Sequence, residues 1–333
     1  MAKEKGLALV KYLSFYPEYR EDGEKTAPLE TGRFKHFRAV SKSKNSPILI
    51  ANLLFMITLI PLIAIFVVIN ALGGIENIAY NMNGITDTPF IMSNVGFGMS
   101  NYTQTTLQIR LDMLKVYYLI FAAVGVGTFI MSIGLSGMVP LCMKFIIGDK
   151  CICKKDNYGN DVPRACKEFF IGLKRCIKEM LFVGGMFLVI FAGFGNIFVY
   201  FVSQYWMGTA NAGHWVMVII TGIIALLCFM FLLHLIPSIA LYDMPFKDKL
   251  KNSLILTFQF FLQNLVVVIV FSIPFVLATT LNTFISAAIF ALLLVFGSKY
   301  YCLTMCNFEQ YISEKLIQPV YEMRAKSRKG KKK

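Results

Sequence analysis

Long apolar runs alternate with short polar segments along most of this chain. A bilayer core about 30 Å thick requires roughly 20 apolar residues in a helix that rises about 1.5 Å per residue. Six stretches meet that requirement: 48–72, 116–143, 181–202, 215–242, 262–280 and 283–299. The first two contain no Asp, Glu, Lys or Arg, and the last two are joined by so few polar residues that they predict a tight helical hairpin. Since lipid satisfies no backbone polar group, the fold class expected is all-α. The expected architecture is a polytopic membrane protein with six transmembrane helices arranged as three hairpins. A cytoplasmic N-terminal segment (1–46) precedes the membrane domain (47–303), and a basic cytoplasmic tail (304–333) follows it.

Helical periodicity also appears in three of the polar segments. In 164–180, Cys166, Phe169, Phe170, Leu173, Ile177 and Met180 fall on one predicted face, with Arg164, Lys167, Lys174, Arg175 and Lys178 on the other. Further on, Phe246, Leu250, Leu254 and Phe258 alternate with Lys247, Lys249 and Lys251. A weaker version, Phe34, Phe37 and Val40 among Arg33, Lys35, Arg38 and Lys42, precedes the first span. Each predicts an interfacial helix that buries its aromatics and turns its cations to anionic headgroups. The chain therefore reads as three copies of one unit, an amphipathic helix followed by a hairpin.

Charge orients the spans. Of the 33 Lys and Arg, 10 precede Ile48, 9 lie between Lys144 and Lys178, 3 follow Tyr242 and 9 begin at Lys299, whereas 203–214 has none. Basic residues in short loops stay in the cytoplasm, so both termini are expected inside. The net charge of +14 and mean hydropathy of +0.62 then follow from this bias on an apolar chain, without nucleic-acid binding. The tail places Arg324, Lys326, Arg328, Lys329, Lys331, Lys332 and Lys333 where they can meet anionic lipid.

Little in the sequence points to catalysis. No Gly-rich phosphate loop ending in Lys-Ser or Lys-Thr occurs, and no Ser-His-Asp or paired-carboxylate pattern stands out, so neither enzyme activity nor a cofactor is expected. Cys151, Cys153, Cys166 and Cys176 share a loop but lack the Cys-x2-Cys spacing of zinc knuckles, and no metal is expected. Cys302 and Cys306 share a helix face, which suits packing or palmitoylation. His234 is expected near the cytoplasmic end of the fourth span, at the interface. Asn70, Asn196, His234 and Asn264 are the candidates for helix contacts or for lining a solute path. Small residues at Gly125, Gly127, Gly134, Gly137, Gly184, Gly185, Gly193 and Gly195 are expected at close helix crossings.

Three stretches carry a family resemblance. The first runs from Tyr16-Pro17-Glu18-Tyr19 through Asp22-Gly23 and Ala27-Pro28-Leu29 to Phe34-Lys35-His36-Phe37. The second is Gly134-Leu135-Ser136-Gly137-Met138 with Lys144 and Gly148-Asp149; Leu135 stands where the family usually has proline. The third is Phe169 to Lys174, with Phe246 to Ser253 as its downstream counterpart. Together they resemble the YesL-like family of bacterial integral membrane proteins, whose biochemical function is unknown. The resemblance implies a bacterial plasma-membrane protein with a link to carbohydrate uptake. The function expected is a non-catalytic accessory, scaffold or assembly component whose partners are anionic inner-leaflet lipids and other membrane subunits, such as sugar-transport components. The alternative is a facilitator for an uncharged or sugar-like solute.

Overall fold

A computed structural model describes residues 33–71, 99–148, 151–155, 161–280 and 292–313. Nearly all of these are helical. The elements in chain order are α1 (Arg33–Ser43), α2 (Asn45–Ala71), α3 (Met99–Ile147), β1 (Cys153–Lys155), β2 (Asp161–Pro163) and α4 (Ala165–Leu188). A π turn (Val189–Phe194) joins α4 to α5 (Gly195–Trp206), which is followed by α6 (Ala212–Leu241), α7 (Phe246–Gln259) and α8 (Phe261–Thr280). A second π turn (Leu293–Gly297) leads into α9 (Ser298–Ile312).

Four helical segments are long and apolar enough to cross a membrane: Asn45–Ile65, Leu114–Ile147, Ala165–Trp206 and Ala212–Leu241. A fifth is reached if α7 and the start of α8, bent by 92°, count as one span. The coarse expectation of a multi-pass helical membrane protein is met. The expected sixth span, 283–299, falls mostly outside the described residues, as do residues 1–32 of the N-terminal segment and the basic tail from Arg324.

The three expected repeats join their helices differently. In the first, α1 and α2 are separated only at Lys44. In the second, the amphipathic stretch and the span form one run from Ala165 to Trp206, interrupted only by the π turn. In the third, the chain turns sharply at Phe260.

Two compact units divide the chain. The first takes in the described parts of Met1–Thr58, Ser132–Val183 and Leu227–Lys333. Its core contains Ile48, Phe55, Met138, Ile146, Met180 and Leu235, together with an unusual share of polar and charged groups. Glycines set its helix spacing. A Cβ on Gly134 would come within 2.6 Å of the Phe55 ring, and one on Gly137 within 2.8 Å of the Phe169 ring, so α2 and α4 approach α3 where it has no side chain. The second unit takes in the described parts of Leu59–Met131 and Gly184–Leu226. There a Cβ on Gly127 would meet Leu62 and one on Gly195 would meet Phe121, and Trp215 packs edge-on against Phe201 at 4.7 Å between centroids. Gly185 and Gly193 differ: a Cβ on Gly185 would touch nothing within 4 Å, and one on Gly193 only Val189, so these two are not close crossings.

Large apolar side chains remain on the outside. Leu53, Ile57 and Ile60 on α2, Val216, Ile219, Ile220 and Ile223 on α6, and Val266, Ile269 and Val270 on α8 are all exposed. A water-soluble chain rarely leaves so much apolar surface uncovered, whereas lipid is a good solvent for it.

Candidate functional site

Polar groups gather inside the first unit. At their centre His234 of α6, Asn264 of α8 and Glu309 of α9 are each fully buried. His234 Nδ1 lies 2.9 Å from Glu309 Oε2, and Nε2 lies 3.1 Å from Asn264 Oδ1. Phe308 stacks on the imidazole at 5.5 Å. Asn264 also serves the bend at Phe260: its side-chain Nδ2 donates to the carbonyl of Thr257 at 3.2 Å, while its backbone N–H donates to Phe260 O at 2.9 Å. Breaking a helix leaves carbonyls without their intrahelical donors, and an amide side chain placed here satisfies one of them.

This geometry fixes the protons. A carbonyl accepts only from a donor, so Asn264 must turn Nδ2 to Thr257 and Oδ1 to the imidazole. Oδ1 accepts, so Nε2 of His234 carries a hydrogen. Nδ1 and Glu309 Oε2 then share one further proton, as imidazolium with carboxylate or as neutral imidazole with carboxylic acid. Either way the pair is electrically neutral, the condition under which such groups tolerate burial. The other oxygen of Glu309, Oε1, is buried and makes no hydrogen bond among the described residues.

Two further pairs lie in the same unit. Lys249 of α7 is fully buried, and its Nζ donates to Glu179 Oε2 of α4 at 2.7 Å and to Ile239 O of α6 at 3.4 Å. Glu168, at the start of α4, receives Lys144 Nζ at 3.1 Å on one oxygen and the Ile152 backbone N–H at 2.7 Å on the other. That carboxylate fastens the β1–β2 hairpin, whose register pairs Lys154 with Val162, to the ends of α3 and α4. Beside it Cys151 is partly buried; desolvation, followed by the Glu168 charge, raises its thiol pKa to about 11.

The residues singled out from sequence scatter. Asn264 and His234 meet. Asn196 lies in the second unit, half-buried, with its Oδ1 unpartnered among the described residues. The Asn70 side chain lies outside the described residues. Gln263 is exposed. His234, expected at the interface, is enclosed by protein, with Glu309 and Phe308 closing over it.

The amphipathic helices also depart from their expected faces. Phe169 is buried, whereas Phe170 and Cys166 are exposed, as is Lys174, and Leu173 is half-buried. On α7 a polar side faces inward: Lys249, Asn252, Ser253 and Thr257 are buried, Lys247 and Lys251 are exposed, Phe246 and Leu250 are half-buried, and Leu254 and Phe258 point outward. Cys302 and Cys306 are buried, with Cys306 Sγ 3.7 Å from Val139 O, which favours packing over lipidation. Among the loop cysteines Cys153 and Cys166 are exposed and Cys176 is buried, and no group of three ligand-type side chains forms among the described residues.

Glu309 was missed because it falls beyond 303, where the sequence reading begins a tail; α9 instead runs on through Ile312. A signal existed. Cys302, Cys306, Glu309 and Ser313 recur at intervals of four, three and four, the spacing of one helix face. Compared with known proteins, the chain matches no family model, no curated protein and no solved structure.

Proposed function

We propose that this chain is a non-catalytic, multi-pass component of a bacterial plasma membrane system, serving as an accessory, scaffold or assembly subunit. Both termini lie in the cytoplasm, as the distribution of Lys and Arg suggests. One observation carries the reading: apart from Lys299, the buried Lys, His and Glu side chains among the described residues are spent on each other. His234 holds Glu309, Lys249 holds Glu179 and Lys144 holds Glu168, each joining different helices. Ionisable groups along a transport path need access to solute or water, whereas these act as ties between helices. The YesL-like resemblance adds carbohydrate uptake as the system served.

A second reading, a facilitator for an uncharged or sugar-like solute, draws on the unpartnered Oε1 of Glu309 beside the bent α7–α8 pair. Purification of the full chain from its native membrane in mild detergent separates the two. The accessory reading expects other membrane subunits to come with it in fixed stoichiometry, sugar-uptake components among them. A chain that emerges alone, at native abundance and without crosslinkable neighbours, contradicts it.

A further inference from the structure

Lys299 is 4% exposed, yet among the described residues no carboxylate stands against it. Its Nζ donates to Asn45 Oδ1 at 2.8 Å and lies 4.9 Å from the centre of the Tyr300 ring and 5.4 Å from that of Phe296. A buried ammonium held by an amide and two ring faces is solvated but not neutralised. The other deeply buried lysine, Lys249, has Glu179, so the contrast lies within one unit. Lys299 also borders an open groove of about 640 Å³ between α1 and the start of α9.

That groove has a consistent chemistry. On α1, Phe34, Phe37, Arg38, Ser41 and Lys42 follow helical spacing, so that aromatic rings and cations share one face, and Asp and Glu are absent from the lining. Opposite them the π turn Leu293–Gly297 ends just before Ser298, and Phe296, Lys299 and Tyr300 face the groove together. Such turns are frequent at functional sites. Phe37 and Tyr300 approach to 6.5 Å between ring centroids. The apolar run of α2 begins at Ile48, three residues after Asn45, so the groove lies at the end of a spanning segment, the level at which headgroups sit.

We infer that this groove is a binding site for the phosphate-bearing headgroup of an anionic glycerophospholipid, with Arg38, Lys42 and Lys299 on the phosphate and Phe34 and Phe37 against the glycerol and upper acyl chain. The volume falls within the range of small-molecule sites and exceeds what a bare phosphate fills. The inference rests on lipid being the solvent of the helices, but not on whether the chain is an accessory subunit or a facilitator.

The test uses the full-length chain in detergent and measures retention of added phosphatidylglycerol against phosphatidylcholine by native mass spectrometry. Phosphatidylglycerol is expected to be retained preferentially. Arg38→Gln and Lys42→Gln, both at exposed positions, should each weaken that retention about five-fold, while Lys35→Gln, on the same helix but outside the groove, should leave it unchanged. Lys299→Met should weaken it as well and keep the fold, since Met spans the same volume. Equal retention of the two lipids, or the same loss from Lys35→Gln as from Arg38→Gln, overturns the proposal. Complete displacement of the lipid by millimolar inorganic phosphate also overturns it and points to a soluble anion instead.

Discussion

At the scale of single residues, the proton arrangement around His234 makes an asymmetric prediction. With Nε2 donating to Asn264, Nδ1 can accept a hydrogen bond from a glutamine amide as readily as from a protonated Glu309. Glu309→Gln should therefore hold thermal stability in detergent near the wild-type value. Glu309→Ala should cost about 3 kcal/mol, because it leaves a buried imidazole without its partner. A similar test applies to the lysine pair. Lys249 is fully enclosed while the Glu179 side chain is 24% exposed, so Glu179→Gln, which strands the buried charge, should destabilise more than Lys249→Met. Both orders are read from melting temperatures. At Cys151, a thiol pKa of about 11 rather than 9 leaves about a hundred-fold less thiolate at pH 8. Maleimide should modify the exposed Cys153 well before Cys151, and the Cys151 rate should keep rising with pH up to about 11. His234 and Asn264 were legible as isolated polar residues in apolar runs, but their partnership with each other and with Glu309 was not, because Asn264 and Glu309 lie 30 and 75 residues from His234 in sequence.

Helices were easier to find than to orient. The long apolar runs of α2 and α6 carry their length in the sequence, and the structure returns them, whereas α3 begins at Met99, well before the expected start of its span at 116. Amphipathic α7 was visible as a pattern, yet a pattern does not say which face is covered. Where lipid is the solvent the apolar stripe Leu254 and Phe258 can face outward, and Lys249, Asn252 and Thr257 then form the inside. The bend at Phe260 left no trace of the usual kind, since neither Pro nor Gly marks it. The Asn264 amide caps Thr257 O at the break, and its other end is held by His234, 30 residues away. Glycines show the same division. Gly137 and Gly185 look alike in sequence, but only the first faces a ring at close range. Gly137→Leu should lower stability by about 1–3 kcal/mol by pushing Phe169 aside. Gly185→Ala should be neutral or raise stability by up to about 1 kcal/mol through helix propensity. Thermal unfolding of the two variants side by side checks the contrast.

For the molecule as a whole, the sequence and the structure agree that lipid is the medium: the described helices are long, their outer faces are apolar, and most of their buried charges are paired. Span count was less legible. The last apolar run is short, and its partner begins beyond a 92° turn that no periodicity announces. Function at this scale turns on whether the buried polar centre is a tie or a passage. Flux of uncharged sugars into liposomes containing the purified chain decides between them. If His234, Asn264 and Glu309 lock helices together, sugar enters no faster than into protein-free liposomes, and Glu309→Gln changes nothing. Saturable entry that Glu309→Gln slows would contradict the account.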